Sequence, residues 1–195
     1  MRYILASASP RRREILSNIG LDFSVITADT DESSDISDPA RLAEELAVRK
    51  GRAVADKLSA LGELSEDDII ISADTIVVCD GEILGKPTSR ADARKMLQML
   101  SGHAHTVISG VALTVCGKSF SAHSSTKVCF DDISAEDIER YLDTDEPYDK
   151  AGAYGIQGTA SVWINRIDGC YFGVVGLPVN TLDKLHRQIT ERPLF

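Results

Sequence analysis

Apolar residues recur along this chain with two different periods, and the switches between them mark the elements. Residues 3–6 form a short apolar run that predicts a buried strand, and residues 23–26 predict a second. Between them, Ser9, Pro10 and Gly20 stand where a helix needs its N-cap, its first-turn proline and its stop. Asp38-Pro39 opens another helix by the same logic, running to about residue 58 with Leu42, Leu46, Ala47, Val54 and Leu58 on its apolar face. Residues 69–79 predict a strand, and Asp80-Gly81 turns it back into residues 82–84. Ser89 caps a helix carrying Ala93, Met96, Leu97 and Leu100 that stops near Gly102. Residues 106–115 and 119–130 predict a hairpin around Gly117-Lys118, and Ser134 with Asp137 forms a capping pair for a helix to Leu142. Residues 149–158 read as a glycine-punctuated loop. Residues 161–167 and 171–175 predict two strands around Asp168-Gly169, and a last helix starts near Asn180 with Leu182, Leu185 and Ile189 inward. Helices alternate with strands early, while hairpins dominate later. This predicts an α/β fold built on a mixed sheet rather than a doubly wound parallel one. No repeat or clear linker interrupts the chain, so residues 1–195 read as one domain.

Composition narrows the function. With 195 residues and 43% hydrophobic content the chain can bury one sizeable core and leave room for a second small lobe. Thirty acidic against 21 basic residues give a net charge of −9, which repels a nucleic-acid backbone. A small anionic substrate then requires positive charge or metal gathered locally. Cys79, Cys116, Cys129 and Cys170 are scattered without a CxxC pair and read as reduced residues of a cytoplasmic protein. The N-terminal apolar run is too short for a signal peptide, and no other run approaches a membrane span.

Three segments carry candidate chemistry. Asp74 interrupts the nearly continuous apolar run of residues 69–78, the pattern of a strand buried on both faces. A carboxylate there needs a cationic partner, whether as a structural ion pair or as a functional group. Ser7-Ala8-Ser9-Pro10-Arg11-Arg12-Arg13 places hydroxyls and three arginines at a helix start. Arginine in a first turn opposes the helix dipole, and a bound phosphate would relieve the conflict; a solvated basic turn is the plain alternative. Asp149-Lys150-Ala151-Gly152-Ala153-Tyr154-Gly155-Ile156-Gln157-Gly158 is either a surface loop or a backbone that comes close to a ligand, with the Gln157 amide as donor and acceptor. Lys50, Lys86 and Glu32 are candidates by placement. Each lysine taken alone reads first as a solvated side chain, and Glu32 as part of a solvated charge run. His103 and His105 lack a third ligand at metal spacing and read as structural or solvated.

Together these segments resemble the Maf family over essentially the whole chain. The parts run in order: Ser7-x-Ser9-Pro10-Arg11-Arg12, Asp31-Glu32, Arg49-Lys50, Ala73-Asp74-Thr75, Gly85-Lys86-Pro87, Leu100-Ser101-Gly102-x-x-His105, residues 149–158, and Val175-Gly176-Leu177-Pro178. The resemblance implies an elongated mixed sheet with flanking helices, forming two lobes around a cleft. It also implies hydrolysis of the α–β phosphoanhydride of nucleoside triphosphates with a divalent cation, Mg or Mn. By that resemblance Asp74 activates water, Glu32 joins it on the metal, and Lys50 and Lys86 hold phosphates. Ser9, Arg12 and Arg13 are phosphate-loop contacts. Arg11, Thr75 and Gln157 match the subfamily that acts on dTTP and UTP, whereas another subfamily carries Trp, Gln and Glu there and prefers methylated GTP. Family members often form homodimers, so a second copy of the chain is an expected partner. Two departures from the family pattern, Gly51 after Lys50 and Gly173 before Val174, are expected to lie outside the chemistry.

Two rival readings follow from the same residues. An inosine or xanthosine triphosphatase would open with a Thr-x-Asn phosphate loop, where this chain has Ser7-Ala8-Ser9-Pro10. A non-catalytic, nucleotide-binding regulator of septation would not need Glu32, Lys50, Asp74 and Lys86 together.

Overall fold

A computed structural model describes residues 1–195. In chain order the elements are β1 (Arg2–Leu5), α1 (Pro10–Asn18), β2 (Phe23–Val25), α2 (Pro39–Ala60), β3 (Asp68–Cys79) and β4 (Glu82–Leu84). Next come α3 (Arg90–Leu100), β5 (Ala104–Val115), β6 (Lys118–Phe130), α4 (Ala135–Leu142), β7 (Ile164–Asp168), α5 (Tyr171–Val175) and α6 (Val179–Thr190). Seven strands form one sheet in the order β2-β1-β3-β5-β6-β7, with β4 paired to β3. β1 is parallel to both β2 and β3, whereas β3–β4 and β6–β7 are antiparallel, so the sheet is mixed. The α/β class expected from the patterning is the one observed.

The helix starts follow their caps. Ser9, Asp38, Ser89 and Ser134 each accept a hydrogen bond from the main-chain N–H three residues on, at 3.5, 2.9, 3.1 and 3.1 Å. Each bond satisfies one donor that the first helical turn leaves open.

The residues group into two compact units. Unit 1 comprises residues 1–74, 109–124 and 176–195; unit 2 comprises residues 75–108 and 125–175. The division falls within β3, between Asp74 and Thr75. Unit 1 buries Ile4, Ala6, Val54, Ala55, Leu58 and Ile70 against one another. Unit 2 has its own core, including Val77, Leu97, Leu100, Phe130, Tyr141 and Trp163.

Several local expectations are corrected. The second hairpin turns at Cys116-Gly117, not at Gly117-Lys118, because both of those residues take positive φ (48° and 73°) and β6 already begins at Lys118. Residues 171–175 form a helix rather than a strand. A five-residue apolar run carries no decisive period, and the main-chain N–H of Cys170 is captured by Thr126 Oγ1 at 2.9 Å. The Cys170 carbonyl then accepts from Val174 N–H at 3.2 Å and starts the helical turn. β7 pairs with β6 instead of with the segment that follows it. Residues 159–163 are a 3₁₀ turn leading into β7, and short 3₁₀ turns also occur at Glu146–Asp149 and Ala151–Ala153. On α2 the inner face is Ala43, Leu46, Ala47, Gly51, Val54, Ala55 and Leu58, with Leu42 only half-buried. On α6 His186 is buried where Ile189 is only partly so.

α2 reaches the sheet closely because glycine faces it twice. A Cβ on Gly110 of β5 would overlap the main chain of Ala43 and Glu44. A Cβ on Gly51 would stand 2.8 Å from both Ser72 Oγ and Thr114 Oγ1. Ser72 Oγ–H donates to the Ala47 carbonyl at 2.6 Å, tying β3 to α2 in the same place. No helix is long and apolar enough to cross a membrane.

Candidate active site

Along β3, residues 68–73 are all buried, and the burial lapses at Asp74 and Thr75. The carboxylate that the apolar run could not tolerate unpaired has a partner from α2. Lys50 Nζ lies 2.5 Å from Asp74 Oδ1 and 2.8 Å from Glu32 Oε1. The three side chains grade outward, with 13% of Asp74, 21% of Lys50 and 58% of Glu32 exposed. Lys50 can reach inward because it precedes Gly51, the residue that brings α2 against Ser72 and Thr114. Gly51 therefore supports the site, contrary to its expected irrelevance.

Arg12 adds a second cation to this group. Its Nε donates to the Gly176 carbonyl at 2.8 Å, and its Nη1 donates to the Ala73 carbonyl at 2.7 Å and to Ser7 Oγ at 3.3 Å. Burial pushes its pKa down, while the charges of Asp74 and Glu32 act the other way. The conflict between an arginine and the start of α1 is thus resolved by main-chain carbonyls, one of them immediately before Asp74. Ser7, part of the hydroxyl-rich motif but given no role of its own there, accepts from Ser9 N–H at 3.2 Å as well as from Arg12. Its position two residues before a helix N-cap was the available signal. Ser9 and Arg11 are partly buried and Arg13 is exposed.

Unit 1 therefore brings Glu32, Lys50, Asp74 and Arg12 together. Thr75, Lys86 and Gln157 belong to unit 2. Thr75 is half-buried in β3, while Lys86 and Gln157 are exposed. Within unit 2 the segment bearing Lys86 and the glycine-rich loop are joined by a bond from Gly152 N–H to the Gly85 carbonyl at 3.0 Å. Gly152 has φ of 71°, and a Cβ there would press on Val77 at 3.1 Å, so glycine is required on both counts. Tyr154 is buried in the same loop, its hydroxyl 2.7 Å from His105 Nε2. Burial lowers the His105 pKa to about 4, so the ring is neutral and structural, as expected for it. His103 is exposed.

A family model described as Maf-like protein matches residues 2–189. The chain belongs to the Maf family. Relatives named dTTP/UTP pyrophosphatase span nearly the whole length. The protein from Symbiobacterium thermophilum is 49% identical over 178 residues, covering 91% of this chain and 88% of its own. That from Thermoanaerobacter sp. strain X514 is 45% identical over 197 residues, covering all of both chains. That from Alkaliphilus metalliredigens is 47% identical over 190 residues, covering 95% of each. In this Maf protein the ordered motifs read from the sequence thus coincide with a family match along the full chain. Within unit 1 the residues at four of those motifs converge on the Lys50 ammonium and the Ala73-Asp74 step of β3.

Proposed function

We propose that this Maf protein hydrolyses dTTP and UTP to the nucleoside monophosphate and pyrophosphate. The carrying observation is the pair of carboxylates, Glu32 and Asp74, bridged by Lys50 beside Arg12. The substrate reading rests on the names of the full-length relatives and on Arg11, Thr75 and Gln157.

A phosphoanhydride resists attack because its negative charge repels the incoming oxygen. In the proposed reaction the water oxygen bonds to phosphorus, its proton passes to Asp74, and the α–β bridging P–O bond breaks to release pyrophosphate. Lys50 orients Asp74 and offers charge to a phosphate. Arg12 holds the Ala73 carbonyl and so fixes the strand position from which Asp74 projects. Ser9, Arg13 and Lys86 supply further donors and charge for the phosphates. Arg11, Thr75 and Gln157 discriminate the base.

Two convergent carboxylates suit Mg or Mn, which takes one or two protein carboxylates and completes its shell with phosphate oxygens and water. Glu32 and Asp74 would hold the ion, which when bound neutralises phosphate charge. The enzyme is read as cytoplasmic, with a second copy of the chain as the partner the family resemblance allows and no nucleic-acid or membrane partner.

The test is product release from the pure protein with Mg and with Mn, across canonical and modified nucleotides. Pyrophosphate with dTMP or UMP is expected. Single orthophosphate would overturn the cleavage position, and faster turnover of ITP or methylated GTP would overturn the pyrimidine assignment.

A further inference from the structure

Gln157 is exposed on a glycine-rich loop, where a side chain that discriminates bases would need external fixing. One side chain outside the loop does this. Glu146 Oε1 accepts from the Tyr141 hydroxyl at 2.9 Å, and Glu146 Oε2 accepts from the main-chain N–H of Thr159 at 2.9 Å. Gly155 packs beside the same group: a Cβ there would stand 3.5 Å from Glu146 Oε1 and 2.9 Å from Lys150 Cε. One carboxylate thereby holds the chain by a hydrogen bond two residues after Gln157 and abuts it two residues before. Gly158 lies directly on that carboxylate, so closely that a Cβ there would overlap it. Lys150 Nζ donates to the Glu146 carbonyl at 2.7 Å and closes the near end of the loop. All of these residues lie within unit 2.

We infer that Glu146 is a positioning residue that sets the place of Gln157 and, through it, the preference for pyrimidine nucleotides. The inference rests on the role proposed above for Gln157. Both carboxylate oxygens are used, Oε1 by the Tyr141 hydroxyl and Oε2 by the Thr159 amide. Tyr141 is buried by Trp163, with their rings 5.1 Å apart, so the hydroxyl has little room to seek another partner. Glu146 follows Asp143-Thr144-Asp145, and nothing in that stretch distinguishes it from its acidic neighbours.

The experiment compares wild type, Glu146→Gln, Tyr141→Phe and Gln157→Ala. Glu146→Gln keeps the size but offers one acceptor oxygen. Tyr141→Phe keeps the packing and removes one of the two bonds that hold the Glu146 carboxylate. In each protein the amide exchange of Gly155 and Thr159 is followed by NMR, and kcat/KM is measured for UTP and GTP. Expected for Glu146→Gln is about tenfold faster exchange at Thr159, the loss of one hydrogen bond. The UTP-to-GTP ratio should fall by about 10- to 100-fold, as for a misplaced contact group. Tyr141→Phe frees one side of the Glu146 carboxylate and should speed exchange at Thr159 and lower the ratio in the same sense. Gln157→Ala should lower the ratio without faster exchange. Unchanged exchange in both Glu146→Gln and Tyr141→Phe would overturn the positioning role. So would an unchanged ratio in both alongside a lowered ratio in Gln157→Ala. An unchanged ratio in Gln157→Ala itself would instead remove Gln157 from selectivity and the specificity half of the inference with it, while exchange still judges the positioning.

Discussion

Lys50 of α2 and Asp74 of β3 meet at 2.5 Å, and the same ammonium reaches Glu32 at 2.8 Å. One cation therefore gathers two carboxylates at the point where the burial of β3 lapses. This relationship makes Asp74→Asn a discriminating substitution. The amide keeps the shape and can still accept from Lys50, which retains Glu32. Loss of a positioned base should lower kcat by about 100- to 10,000-fold at saturating Mg or Mn, with folding preserved. The checks are kcat and the thermal midpoint of one preparation. Early unfolding with near-normal kcat would make Asp74 a structural partner only.

Arg12→Lys tests the anchoring of β3. A lysine cannot span the Gly176 and Ala73 carbonyls that Arg12 holds with separate nitrogens. Losing one such charged hydrogen bond should cost about 1.5–3 kcal/mol in urea unfolding. kcat/KM should fall with it, because Ala73 directly precedes the proposed base. A variant that loses activity with unchanged stability would place Arg12 on the substrate rather than on the fold.

Gly51→Ala and Gly110→Ala test how α2 is brought to the sheet. Alanine at 51 would stand 2.8 Å from two hydroxyl oxygens, both on hydrogen-bonded side chains. Overpacking of about 1–3 kcal/mol should exceed the roughly 1 kcal/mol helix-propensity gain of replacing glycine. Gly110→Ala should cost more, since it meets main chain that cannot rotate away. Urea midpoints give the order. An equal or smaller effect at Gly110 would mean that α2 can shift outward freely.

His105 should impose a pH dependence on stability. Its folded pKa is about 4, against about 6.5 when unfolded, because burial penalises the charged ring. Between those values the unfolded chain binds the extra proton. The contribution is therefore fully present above pH 6.5 and is lost as pH falls toward 4, by about 3 kcal/mol at most. His105→Phe should flatten the fall in thermal midpoint over that window relative to wild type. Parallel curves for the two proteins would show that the ring is protonated in the folded state.

The chain's local code was legible without coordinates wherever short-range physics decides. Ser9, Asp38, Ser89 and Ser134 announced their helices because a cap satisfies donors three residues away. The run through residues 69–78 announced a buried strand, and the charge in it demanded a cation. The ordered motifs carried the family, and with it Glu32, Lys50 and Asp74 as members of one site.

Tertiary structure alone decided which cation answers Asp74, since Lys50 lies 24 positions away and its reach depends on Gly51 and Gly110 setting the depth of α2. It also decided that residues 171–175 are helical, because the Thr126 hydroxyl takes Cys170 N–H out of strand pairing. Arg12, which the family resemblance makes a phosphate-loop contact, also donates to the carbonyls of residues 73 and 176, and only the folded chain shows that. Glu146 was invisible, because its two donors sit 5 residues before it and 13 after it. Periodicity and capping read contacts within a turn or a strand. Which distant side chain fills a hydrogen bond is settled only when packing brings the segments together.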